Sequence, residues 1–137
     1  MTSRLVLAYL GTAVTFVVLD FLWLAVIAKG FYQGQVGGLM ASPPNFVAAG
    51  LLYLLYSAGL VGFVVWPALG AGSLGQAALA GALLGFVVYG VYDLTNLAVL
   101  KGWTVPVAVV DMLWGAVVSA ASASGGYALA RLAGGAG

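Results

Sequence analysis

The chain has no cysteine, no histidine and no glutamate. Without cysteine there is no disulfide framework and no thiolate metal site. Without histidine as well, haem ligation and the usual transition-metal sites lose their main ligands, so neither a metal nor a cofactor is expected. Charge is scarce too. Four basic and three acidic residues among 137 leave a net charge of +1. Globular domains run near a quarter charged, so the soluble class is excluded. No basic surface exists for a nucleic-acid partner.

What the chain has is hydrocarbon. Hydrophobic residues make up 64% of it, and mean hydropathy is +1.17. The length suits one domain. It is short for a transporter fold but enough for four spans of about 20 residues each. Apolar segments run over 5–28, 46–66, 74–100 and 105–132. The expected fold class is all-α: a polytopic membrane protein with four transmembrane helices in a bundle. The first segment is expected to be retained, since its run is long and contains Asp20 and Trp23. Residues 30–44 are too few to span and read as an interfacial segment between helices 1 and 2. The second link, 68–73, is glycine-rich. The third is Lys101-Gly102-Trp103-Thr104, with Pro106 placed for a first helical turn. Trp66 and Trp103 fall at span ends, where belt aromatics belong. Residues 1–132 form one transmembrane domain, and 133–137 read as a flexible Gly-rich tail.

All the acids lie inside the apolar segments: Asp20, Asp93 and Asp111. The bases Arg4, Lys29, Lys101 and Arg131 lie at segment ends. An ionised Asp near mid-membrane costs about 2.5–3.5 kcal/mol, so three unsatisfied ones cost on the order of 8–10 kcal/mol. Their depth is shared. Asp20 precedes Lys29 by ~13 Å of helix, Asp93 precedes Lys101 by ~12 Å, and Asp111 follows Thr104 by ~10 Å. Tyr53 and Tyr56 come about 10–15 Å after the start of the second span. Asp20 and Trp23 are spaced i,i+3, as are Asp111 and Trp114, so each pair shares a helix face. The runs Leu19-Asp20-Phe21-Leu22-Trp23 and Val110-Asp111-Met112-Leu113-Trp114 echo one another on antiparallel helices. Tyr89, Asp93 and Asn96 form a polar stripe on the third span. Gly81, Gly85 and Tyr89, and Gly115, Ser119, Ser122 and Gly126, are seams for close helix approach.

Three neighbouring carboxylates with no base at their depth cannot all stay charged alone. They keep protons, bind a cation or face a basic ligand group. The expected site is an intramembrane pocket of Asp20, Asp93 and Asp111, lined by Trp23, Tyr53, Tyr56, Tyr89, Tyr92, Asn96 and Trp114. The aromatics offer flat faces to a planar or cationic molecule. The site is expected to open toward Lys29 and Lys101, because the other half is filled with Leu, Val, Ala and Gly.

The run Val91-Tyr92-Asp93-Leu94-Thr95-Asn96-Leu97-Ala98, then Lys101-Gly102-Trp103 and Val110-Asp111-Met112-Leu113-Trp114-Gly115, resembles a bacterial family of predicted membrane proteins. It is domain-of-unknown-function family 2177. Leu19-Asp20-Phe21-Leu22-Trp23-Leu24 and Leu52-Tyr53-Leu54-Leu55-Tyr56 are similar to it as well, and the likeness covers roughly residues 5–130. The resemblance implies a four-helix protein of the bacterial inner membrane and supplies no activity.

Four spans put both termini on one side, expected to be the cytoplasm, although the bases divide evenly between the two sides. The function expected from the residues is a small-molecule or cation-binding membrane protein, a carrier or sensor, with transport calling for a homodimer. Two alternatives stand beside it. One is an accessory or scaffold subunit of a membrane complex, its aspartates acting as interhelical fasteners. The other is a membrane-embedded enzyme acting on lipid, through paired aspartates sharing a proton. The lipid bilayer is the one certain partner.

Overall fold

The computed structural model of the protein describes residues 2–134. Four helices are long and apolar enough to cross a membrane: α1 (Thr2–Ile27), α3 (Phe46–Ala71), α4 (Leu74–Val99) and α5 (Val105–Gly134). A short helix, α2 (Lys29–Val36), lies between the first two. In hydrocarbon every backbone N–H and C=O needs an internal partner, and a helix meets that need within one segment. The all-α, four-span architecture with a segment between helices 1 and 2 is therefore observed as expected. α5 runs two residues beyond the expected end of the fourth span, and the rest of the Gly-rich tail, 135–137, lies outside the described residues.

One expected boundary is wrong. The second link is Gly72 and Ser73 alone, not 68–73, because α3 continues through Pro67. Proline has no N–H to donate, and its ring meets the carbonyl four residues back. The helix widens just before it into a π turn, Val61–Val65, with the Trp66 N–H bonded to the Val61 carbonyl. Gly72 then stops the helix. It sits at φ 66, in the left-handed region that glycine enters freely. Its N–H bonds Leu69 O at 3.2 Å, and that of Ser73 bonds Ala68 O at 3.1 Å. The Ser73 hydroxyl starts α4 by accepting from the Gln76 N–H at 3.0 Å.

α5 is the central helix, with α4 along one flank and α1 along the other. α3 lies against α1 and reaches α4 and α5 through its π turn. Small residues set both flanks. A side chain at Gly85 would strike the Gly115 carbonyl and Ser119, and one at Gly81 would strike the Ser119 carbonyl. On the other side, Gly125 meets Thr15 and Gly126 meets Thr12 and the Ala8 carbonyl. The expected single seam on α5 is thus two: Gly115 and Ser119 serve α4, while Gly126 serves α1. The split runs along the helix and not around it: Gly126 lies on much the same face as Gly115 but about 16 Å further along.

The half near the termini is a tight apolar core of Ala8, Leu60, Val64, Val65, Ala68, Ala77, Ala123 and Ala130. A second cluster closes the other end. There Ala28, Tyr32 and Val36 pack on Val107, with Trp23, Phe31 and Trp103 around them. α2 is therefore folded onto the bundle. Thr104 fastens it by donating to Gln35 Oε1 at 2.8 Å.

Candidate functional site

The antiparallel register of α1 and α5 builds the site. With Gly11 against Gly125 and Ala8 against Gly126, each helix brings its Asp level with the other's Trp. Asp20 is 7% exposed. It accepts from the Tyr53 hydroxyl at 2.7 Å and from the Trp114 indole N–H at 3.2 Å. Asp111 accepts from the Tyr32 hydroxyl at 2.9 Å, and that hydroxyl accepts from the Trp23 indole N–H at 3.2 Å. The two indoles stack between them, ring centres 4.4 Å apart and planes 6° from parallel. The two Asp-x-x-Trp elements thus cross over, each tryptophan serving the opposite helix's aspartate, one directly and one through Tyr32.

Asp93 is placed differently. It is wholly buried, and no donor is aligned on either carboxyl oxygen. Facing it are the Asp111 carboxyl and the Trp103 indole. The Trp103 N–H is itself buried and unpaired. Ionised carboxylates only accept, so Asp93 and Asp111 can bond each other only through a shared proton. The site therefore holds one carboxyl with two aligned donors and a second pair that lacks positive charge.

Tyr89 lies on Gly115, edge-on to Tyr56 at 6.2 Å. Tyr56 is deeper and bonds the Ser119 hydroxyl at 2.6 Å. Phe16 separates Tyr53 and Tyr56, 5.3 Å from each ring. Of the expected site residues, Asp20, Trp23, Tyr53, Asp93, Asp111 and Trp114 form the centre, with Tyr89 beside it. Tyr92 is 54% exposed and edge-on to Trp103 at 5.8 Å. Asn96, half-buried next to Tyr92, marks the rim with it.

Two members of the network were not among the expected residues, Tyr32 and Trp103. The signal for Tyr32 was present: Ala28, Tyr32 and Val36 repeat every four residues, the stripe of a helix with one buried face. Burial pushes the Tyr32 phenol above its ordinary range, so it remains a neutral donor at physiological pH. Trp103 carried no such signal, since its position also suits a belt aromatic.

Among the described residues, no three acidic side chains converge as metal ligands would. No curated protein and no solved structure matches the chain. A family model described as a predicted membrane protein, DUF2177, matches residues 5–128. That match covers most of the chain, including every residue of the carboxyl network, and the protein accordingly belongs to the DUF2177 family of predicted membrane proteins.

Proposed function

We propose that this protein binds a small cation or a small basic molecule at the Asp93–Asp111 pair within the membrane, as a carrier or sensor. The observation that carries the proposal is the pair of unpartnered, fully buried Asp93 oxygens. A buried polar group without a partner is expensive, and a charged one more so. A positive guest would satisfy Asp93 and Asp111 together, with Trp103 and Tyr92 supplying aromatic faces at the rim. Entry is from the side of Lys29 and Lys101, where α2 reaches Asp111 through Tyr32 and the opposite half is packed apolar core. The host membrane is the bacterial inner membrane, with both termini cytoplasmic, and transport would involve a second copy of the chain. Binding of inorganic monovalent cations and of simple amines by the purified protein, titrated against pH, tests this. Saturable binding lost in Asp93→Asn and Asp111→Asn supports it. An isotherm that survives with all three aspartates changed to asparagine would refute it.

A second role, an accessory subunit with the network as internal fastener, is favoured by Asp20, whose two donors leave it no need of a guest. In that case cations would not bind, and all three Asp→Asn variants would keep full association with the partner complex.

A further inference from the structure

Asp93 and Asp111 face each other across the contact of α4 with α5. Asp93 is 0% exposed, and neither of its oxygens has a donor aligned on it. Asp111 takes one donor, the Tyr32 hydroxyl on Oδ1. Other titratable groups come close from three elements: Asp20 from α1, the Tyr32 phenol from α2, and the Tyr89 and Tyr92 phenols from α4 itself. From α3, Tyr53 gives its hydroxyl to Asp20 and Tyr56 bonds Ser119. None of these groups carries positive charge. Lys101 is about 12 Å of helix beyond Asp93, and both Lys29 and Lys101 are exposed.

Two neighbouring carboxylates cannot both stay ionised in low dielectric without a cation. A proton between them meets that need, and it is the one bond the pair can make. Its place is the space between the facing oxygens. A guest cation needs the same oxygens and the same space. A proton kept on Asp93 would then lack an acceptor, because apart from Asp111 the side chain faces only the Trp103 indole, which is a donor. Proton and guest are therefore competitors for one seat. Exchange also leaves the buried charge of the site unchanged, one positive charge leaving as another arrives.

We infer that binding at this pair is an exchange. Each monovalent cation breaks the O–H bond of the shared proton, takes its place between Asp93 and Asp111, and sends the proton to water on the side of Lys29 and Lys101. This rests on the cation-binding reading above and adds its coupling to pH: as pH falls, the proton holds the seat and affinity drops.

The test uses the full chain in a neutral maltoside detergent, weakly buffered near neutral pH and titrated with sodium chloride or methylammonium chloride. Bound sodium is counted with a radioactive tracer, and released protons with a glass electrode. About one proton should appear per cation bound. The apparent Kd should rise about tenfold for each pH unit lowered. In infrared difference spectra a protonated carboxyl C=O band should weaken as sodium is added. Asp93→Asn, which breaks no hydrogen bond, should show neither that change nor any proton release. Lys29→Gln with Lys101→Gln should keep the ratio of one proton per cation. Sodium bound with no proton released, at an affinity indifferent to pH, would overturn the exchange and leave the binding site standing. No binding of sodium or methylammonium at any pH would remove the site and the exchange together. Proton release that persists in Asp93→Asn would place the exchanging group elsewhere and overturn the inference.

Discussion

Asp20 and Asp93 are the same residue type at the same depth, yet their surroundings assign them different work. Asp20 ties three helices together, holding Tyr53 of α3 and Trp114 of α5. Its replacement by alanine leaves both donors without an acceptor. Thermal or denaturant unfolding of Asp20→Ala in detergent should show a loss of about 1–3 kcal/mol, the usual penalty for orphaned buried polar groups. Asp93 holds no aligned donor, so Asp93→Asn breaks no hydrogen bond. Its stability should stay within about 0.5 kcal/mol of the parent, while cation binding is lost. Loss of stability at Asp93 as large as that at Asp20 would show that both residues serve the fold.

At the scale of elements, α5 depends on neighbours that come close. Gly85→Ala places a methyl against the Gly115 carbonyl, which is backbone and cannot move aside cheaply. A cost of about 1–3 kcal/mol is expected from such overpacking. Gly50→Ala, on the open face of α3 with nothing nearby, should be neutral or stabilising by up to about 1 kcal/mol, because alanine is the better helix former. A reversal of that order in unfolding midpoints would contradict the packing of α4 on α5. The other element with a testable role is α2, tied to the start of α5 by Gln35 and Thr104 and to Asp111 by Tyr32. Cysteines at these two positions are clean, since the chain has none of its own. Bridging them with a short bifunctional thiol reagent should slow cation entry, and reduction should restore it. Entry at the same rate with the bridge closed would mean that α2 covers nothing that matters.

For the whole molecule, the apolar core at one end and the polar network toward the other make the two ends unequal. Asn96→Cys, half-buried at the rim, should react with a membrane-impermeant thiol reagent from the side of Lys29 and Lys101. From the side of the termini it should stay protected by Leu60, Val65, Ala68 and Ala77, none of which has measurable exposure. Labelling from the terminal side would move the entrance to the opposite end.

Composition and local pattern determined the class of protein. Apolar runs of spanning length leave helices as the available solution, and helix rise alone put three aspartates at one depth. The i,i+3 spacing of Asp20 with Trp23 and Asp111 with Trp114 needed no neighbour to be seen. Even the end of α3 turns on local chemistry, Gly72 and the Ser73 cap, though the earlier glycines and Pro67 concealed it. The pairing was decided elsewhere. Tyr32 reaches Asp111 across 79 residues of sequence, and Trp114 reaches Asp20 across 94. Which donor meets which carboxylate depends on how closely two glycine-lined flanks let α1 and α4 approach α5, and on how α2 folds back. Those are properties of packed surfaces. No single segment holds them, so the crossover of the two Asp-x-x-Trp elements and the isolation of Asp93 exist only in the tertiary structure.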